Sequence, residues 1–375
     1  MVGATEFVIV LIVLYLLECF RTVRPDELIF DRGLLSRYWV RKPILYPTNG
    51  EWGWTILNPL RPDGPVFSSA PPSYALTSYG LLVRTGASQQ FNLFSYESCD
   101  PIAGEESKVL FKNGCIQARS PEDACRLVQT LQQFARERPG RRIERLHGVR
   151  IEPFNVERIG ETCASLEAHT STLRAISVSG FVVYFVIFPG LLLVAGLRAT
   201  LVALIPAVIL LSVLAAVWYH RAARRLLPFT PKVDLYGNIV RLVLFPISTL
   251  RCTDLISYRL LSIYDPIAVA MVLRGKDDAG KLATREMLAL RYGSASALDE
   301  PACAAITEYR QVRLSLLERF CSQRQLPVAS WDSQPNADNP SCLTYCPCCG
   351  VQYMLSEGFC ADCADIVLQP LKPTR

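Results

Sequence analysis

The chain has 375 residues, half of them hydrophobic, 19% charged, and a net charge of +5. That length accommodates two or three domains beside any membrane part, and so mild a positive charge gives no footing for nucleic-acid binding. The fourteen cysteines, scattered except for a final cluster, argue against a disulfide scaffold and for a reducing compartment.

In chain order, Val2–Phe20 is a strongly apolar stretch. No Lys or Arg precedes it and no small-x-small cleavage site follows, so residues 1–20 are expected to form an uncleaved transmembrane anchor rather than a signal peptide. Residues 21–174 form the first soluble segment. Its opening is rich in aromatics and turns (Trp39, Tyr46, Trp52, Trp54). β-like runs follow at Tyr74–Thr77, Leu81–Arg84, Phe91–Tyr96, Val109–Lys112 and Cys115–Ala118, and Asn113-Gly114 signals a hairpin. Ser120 and Pro121 then open a helix whose Ala124, Leu127, Val128, Leu131 and Phe134 recur at helical spacing. This is a cytoplasmic, β-rich α+β module. Its strands-then-helix order is similar to that of a pleckstrin-homology-like domain, with an unrelated α+β sheet as the alternative.

Arg136–Arg150 carries six arginines tempered by two glutamates. It reads either as a contact for anionic lipid, at roughly 1 kcal/mol per basic residue near the surface, or as an ordinary solvated helix end. Ile151–Thr172 leads as a polar stalk into the hydrophobic hairpin of residues 175–219. Ala175–Leu197 and Leu201–Tyr219 are uncharged, and each is long enough to cross a bilayer core of about 20 residues. Arg198, Ala199 and Thr200 are expected as the turn. With no ionisable group inside the runs, an ion or proton pathway is not expected. Ala203-x-x-x-Ala207 is a weak packing signal. Arg21, Arg24, Arg174, Arg221, Arg224 and Arg225 satisfy the positive-inside rule with three spans, the N-terminus outside and the bulk and C-terminus inside. The expected location is therefore integral and multi-pass, in a bacterial inner membrane.

Residues 220–330 read as a mainly helical cytoplasmic module. Val240–Ile247, broken by Pro246, and Leu260–Leu273, broken by Asp265-Pro266, are too short to span; a core is expected for both, with the membrane interface as the alternative. Ala305–Arg319 is an amphipathic helix with Ile306, Tyr309, Val312, Leu316 and Phe320 on one face. Residues 331–341 read as a flexible linker.

The chemistry-bearing stretch is the tail at 342–375. Cys346 and Cys349, then Cys360 and Cys363, form a C-x2-C-x10-C-x2-C pattern. Paired turns of this kind supply the four thiolates that tetrahedral zinc prefers. The tail resembles a zinc ribbon, which implies Cys346, Cys349, Cys360 and Cys363 as metal ligands and zinc as a structural cofactor. Ala364 stands where such ribbons often carry Gly. Cys342 and Cys348 are surplus thiols, and Cys348 could replace a neighbouring ligand. An iron or redox site is the alternative. No Lys or Arg lies between Cys342 and Pro370, which turns the ribbon away from nucleic acid and towards protein contact through Tyr345, Tyr353, Met354, Leu355 and Phe359.

No whole-chain family resemblance emerges, and no catalytic or cofactor-binding motif is evident; His147, His169 and His220 have no partners at ligand spacing. The expected role is a membrane-anchored, non-catalytic adaptor, assembly or scaffold protein. The alternatives are a membrane enzyme of unrecognised family and a redox or metal sensor.

Overall fold

The computed structural model describes residues 4–22, 74–85, 90–103, 108–111, 114–118, 121–228, 230, 232–261, 263–292, 296–297, 300–328, 339, 341–347, 351–360 and 367–371. The aromatic opening of the first soluble segment and most of the expected linker lie outside them. Among the described residues the protein is mostly helical, and two helices are long and apolar enough to cross a membrane.

Helix α1 spans Ala4–Thr22. The expected β-runs then appear as β1 (Tyr74–Leu76), β2 (Leu81–Thr85) and β3 (Gln90–Phe94), paired antiparallel. Successive strand residues point to opposite faces, and here both faces are covered. Leu81 and Val83 join Tyr96, Val109, Ile116, Leu127, Leu131 and Phe134 in one core, while Ala75 and Leu82 join Ala302, Ala305 and Ile306 in another. Two-sided burial explains the continuous apolar run Leu81-Leu82-Val83. β4 (Ile102–Ala103), β5 (Lys108–Phe111) and β6 (Gly114–Gln117) form a second small sheet. Its ladder closes on the pair Phe111↔Gly114, so Gly114 is a paired residue rather than the turn residue expected. Helix α2 (Pro121–Arg136) buries Ala124, Leu127, Leu131 and Phe134. The Tyr96 ring meets Phe134 edge-on at 5.2 Å, and its hydroxyl donates to the Thr77 carbonyl at 2.6 Å. Helix α3 follows over Pro139–Ile151.

The stalk and first apolar run form one helix, α4 (Val156–Gly196), and the second run forms α5 (Arg198–Leu226). The break between them lies at Gly196 (φ 74°, ψ 170°), two residues before the expected turn. Arg198, Ala199 and Thr200 are helical instead. The shift follows from stereochemistry, because that backbone region is open essentially to glycine alone. Within α4, Val183–Ile187 widens to a π-turn. Pro189 has no N–H for the Phe185 carbonyl, and its ring crowds that oxygen in a regular α-helix.

Helix α1 packs on this hairpin. Tyr15 meets Phe181 at 6.3 Å and Phe185 at 5.5 Å, ring to ring, and Leu11 packs on Phe188, Leu192 and Leu204. Leu192 and Leu204 lie nearer the Gly196 tip than Phe181 and Phe185 do. The start of α1 therefore points towards the tip. Around the tip the hairpin exposes an apolar sleeve, with Leu193 at 78% and Val194 at 88%, and with Val202, Ile205, Ile209 and Leu210 also open. Arg198 is exposed at one end of this sleeve and Arg221, Arg224 and Arg225 at the other.

After the hairpin come α6 (Lys232–Leu244), a 3-10 turn (Pro246–Arg251), α7 (Cys252–Leu261), α8 (Pro266–Arg274) and α9 (Lys276–Tyr292). Asp265 caps α8 by accepting from the Ile267 amide at 2.9 Å, and Ile267, Ala268, Val269 and Ala270 are buried in the main helical core. The core expectation for Leu260–Leu273 therefore holds. That for Val240–Ile247 does not. Leu242 is buried, but Val240, Val243, Leu244 and Phe245 are exposed. The run has one helical face to bury, and Pro246 ends the helix before a second can be used.

The segments before and after the hairpin meet. β7 (Ser296–Ala297) pairs parallel with β3. Helix α10 (Glu300–Arg324) lays Ala302, Ala305 and Ile306 on the β1–β2 face, and its far half buries Leu317, Phe320 and Cys321 in the helical core. Leu317 is fully enclosed where Leu316 was expected. The junction is locked by Glu308. It accepts from the Ser78 amide and hydroxyl and from Arg150, whose Nη2 also donates to the Leu76 carbonyl at 2.8 Å. Further along, Arg313 grips Glu286 through two bonds and Asp265 at 2.7 Å, with Phe154 beneath its guanidinium at 5.0 Å.

Burial pushes the Glu308 carboxyl up, but hydrogen bonds from Arg150 and Ser78 outweigh it and hold it below its ordinary value. A depressed carboxylate stabilises above its unfolded-state pKa of about 4.3 and loses that contribution as pH falls through its folded value. Glu308→Gln is expected to cost about 1–3 kcal/mol and to remove this acid sensitivity, read as faster amide exchange in β1 and α10. Gly196→Ala forces a side chain into a glycine-only region and is expected to cost about 1–3 kcal/mol, read by thermal unfolding of the detergent-solubilised protein.

Candidate metal centre

The tail folds as a three-stranded antiparallel sheet in the order β10 (Gln369–Pro370), β8 (Thr344–Tyr345), β9 (Gln352–Tyr353). The β8–β9 ladder continues past its last strand pair, because the Cys346 amide donates to the Val351 carbonyl at 2.8 Å. Cys346 is thus the residue that enters the hairpin loop, and Cys349 falls within that loop in sequence. A second antiparallel bridge joins Phe359 to Val367. Cys360 enters the loop beyond it, and Cys363 lies within that loop in sequence.

One cysteine of each pair is brought to the same place. Cys346 and Cys360 are both buried in one cluster with Leu368, flanked by Tyr353 and Tyr292. The Tyr353 hydroxyl sits 3.1 Å from Cys360 Sγ. Cys349 and Cys363, and the surplus Cys348, lie outside the described residues; Cys342 is half-buried. Among the described residues no group of three or more His, Cys, Asp or Glu gathers at one point, as follows when only one cysteine of each pair is described. A donor set of two enclosed sulfurs is chemistry that fits a thiolate-preferring ion such as zinc.

Tyr292 ends α9, and its carbonyl accepts from the Val367 amide at 3.2 Å. The tail therefore rests on the helical module through its second hairpin. Neither Tyr292 nor the Tyr353–Cys360 contact was legible in the spacing of the cysteines. Tyr353, an aromatic seven residues before Cys360, was the available signal for the latter.

Elsewhere, the structure gives the thiols a packing role. Burial pushes Cys99, Cys125 and Cys163 up, and it pushes Cys321 up to about 11, with nearby Asp265, Glu286 and Glu318 adding to the effect. Thiols raised in this way are poor nucleophiles and poor metal ligands. The buried Asp265 carboxylate is also engaged: together with the partly exposed Glu286 it holds Arg313. Of the arginines in Arg136–Arg150, Arg142 pairs with Glu97 at 2.5 Å above the Tyr96 ring, Arg145 pairs with Glu137, and Arg150 holds Glu308. Arg136, Arg138 and Arg141 are exposed.

No protein-family model, curated protein or solved structure matches this chain.

Alkylation of the native protein followed by peptide mass spectrometry is expected to label the exposed Cys303 first, while Cys346 and Cys360 stay unlabelled until denaturant opens the tail.

Proposed function

We propose that this protein is a membrane-anchored, non-catalytic adaptor or assembly scaffold, with a zinc ribbon at its C-terminus as a protein-contact module. The observation that carries the anchoring half is the exposed apolar sleeve of the hairpin, capped by arginines at both ends. Water does not tolerate a contiguous apolar surface of that kind without a partner, and lipid is the partner that two helices of this length match. Trp218, half-buried beneath Arg221 at 5.0 Å, sits where interfacial aromatics concentrate. The direction of α1, with its start towards the tip, supports a third span and an N-terminus on the side opposite the bulk of the chain. Both soluble segments then share the cytoplasmic side.

The zinc reading rests on Cys346 and Cys360 meeting in one buried cluster at the mouths of two hairpins. Cys346, Cys349, Cys360 and Cys363 would hold the ion, which would supply folding energy to a tail with little core of its own. A hydroxyl on a ligand sulfur, as from Tyr353 to Cys360, is the outer contact that orients such ligands. Met354 and Phe359 remain exposed, and this apolar surface on an acidic tail supports contact with another protein. The strands-then-helix order before the hairpin supports a pleckstrin-homology-like module, from which the parallel strand β7 departs. Contact with anionic lipid narrows to Arg136, Arg138 and Arg141.

The test pairs metal analysis with affinity recovery from mild detergent, comparing the intact protein with Cys360→Ser/Cys363→Ser. One zinc per chain and loss of co-purifying partners in the variant is the expected result. Zinc with unchanged partners makes the ribbon a structural cap. Absence of zinc, or iron in its place, overturns the ribbon assignment.

A further inference from the structure

We infer that Lys232–Leu261 is a re-entrant helical hairpin that dips into the leaflet next to Arg221, Arg224 and Arg225, with its Val240–Phe245 face against lipid acyl chains. This rests on the membrane reading of the hairpin above and adds a fourth lipid-embedded element to it.

The direction of α6 is the first argument. Helix α5 ends at Leu226 and α6 begins at Lys232. The short link turns the chain back along the helix it has just left. Leu235 and Leu242 share a core with Ala216, Tyr219, Ala223 and Leu227, and the Asn238 side-chain amide donates to the Tyr219 hydroxyl at 2.9 Å. The C-terminal end of α6 therefore points into the apolar zone.

Depth is the second argument. In the 3-10 turn, Leu250 packs on Tyr15 and Tyr184, and Ile247 belongs to the same cluster with Phe181, Phe185 and Val208. Gly180 admits this approach, since a Cβ there would lie 3.0 Å from the Leu250 side chain. Val208 is ten residues from Arg198 and Tyr184 twelve from Gly196, or about 15 and 18 Å along a helix. A bilayer core is about 30 Å thick, so the turn sits near mid-depth. Helix α7 then climbs out along α4, with Ile256 and Leu166 in one core.

Enclosure is the third. Irregular backbone survives at that depth only when enclosed by protein. Ser248, Thr249, Arg251 and Thr253 are all buried, although the Ser248 hydroxyl finds no hydrogen-bond partner among the described residues. Ser177, one of the few polar residues of the apolar run, donates to the Thr249 carbonyl at 2.9 Å, and the Thr249 hydroxyl donates to the Pro246 carbonyl at 2.7 Å. The opposite face of α6 is apolar and open: Val233, Tyr236, Val240, Val243 and Leu244, then Phe245. Lys232 at its start is exposed, where its ammonium can reach the headgroups.

The experiment uses the full-length protein in nanodiscs of phosphatidylcholine and phosphatidylglycerol. A benzophenone amino acid is placed singly at Val240, Leu244, Leu242, Val202 or Ile209, and photoadducts are identified by intact and fragment mass. Acyl-chain adducts from Val240 and Leu244, in yields comparable with Val202 and Ile209, and no lipid adduct from Leu242, are expected. Lipid adducts at Val202 and Ile209 with none at Val240 and Leu244 would overturn the re-entrant assignment while leaving the anchor intact. Cross-links from Val240 or Leu244 to a second copy overturn it as well, because the face is then a protein interface. Failure at Val202 and Ile209 themselves overturns the membrane reading and, with it, this one.

Discussion

Every peptide group in an apolar surrounding must find its hydrogen-bond partner within the protein, and the hairpin at 156–226 is laid out by that requirement. It permits one interruption between two long helices, at the residue with no side chain to strain. Pro189, which withdraws a donor, is met by a local π-turn and not by an open kink. Two hydroxyls of the hairpin act locally or across a helix contact. Thr200 donates to the Gly196 carbonyl at 2.7 Å and so closes the tip, while Ser177 serves the neighbouring turn. Helix α1 and the 3-10 turn take their seats on the surface that this arrangement leaves.

Arginine does the corresponding work in the polar half of the protein. Arg150 and Arg313 make two separate sets of contacts along α10. Arg150 ties it to the sheet through Glu308, and Arg313 joins Asp265 at the head of α8 to Glu286 on α9. Planar guanidinium groups suit these places because one side chain can satisfy several acceptors at fixed geometry. Much of the basic stretch 136–150 is drawn into the same kind of bonding.

Local pattern was a good guide wherever one element decides its own shape. The apolar runs at 175–219, the β-runs from Tyr74 to Ala118, the period of Ala124 to Phe134 and the breaker at Asp265-Pro266 all gave elements close to those observed. What stayed hidden was set by distant partners. Nothing near Leu82 says that its side chain meets Ala302, and nothing near Arg150 points to Glu308. The Val240–Phe245 stripe has the composition of a core segment, and only its packing along α5 shows which residues stay open. Gly196 differs from the three residues after it in backbone freedom, not in hydropathy. In the tail, cysteine spacing marked the positions, but Tyr353 and Tyr292 became relevant only once the hairpins closed.

The partnership between Ser78 and Glu308 has a temporal side. The two residues are 230 positions apart, with the entire hydrophobic hairpin between them. During synthesis the first sheet emerges long before the helix that covers its second face. Leu82 and Ala75 must wait, exposed, until the ribosome has delivered residue 306. Closing so long a loop is slow relative to local helix formation, and an uncovered sheet face invites association in the meantime. On the membrane reading proposed above, insertion of the hairpin would bring the two ends of that loop to the same side and shorten the search. Anchoring would then come first, with the core that α10 completes closing afterwards.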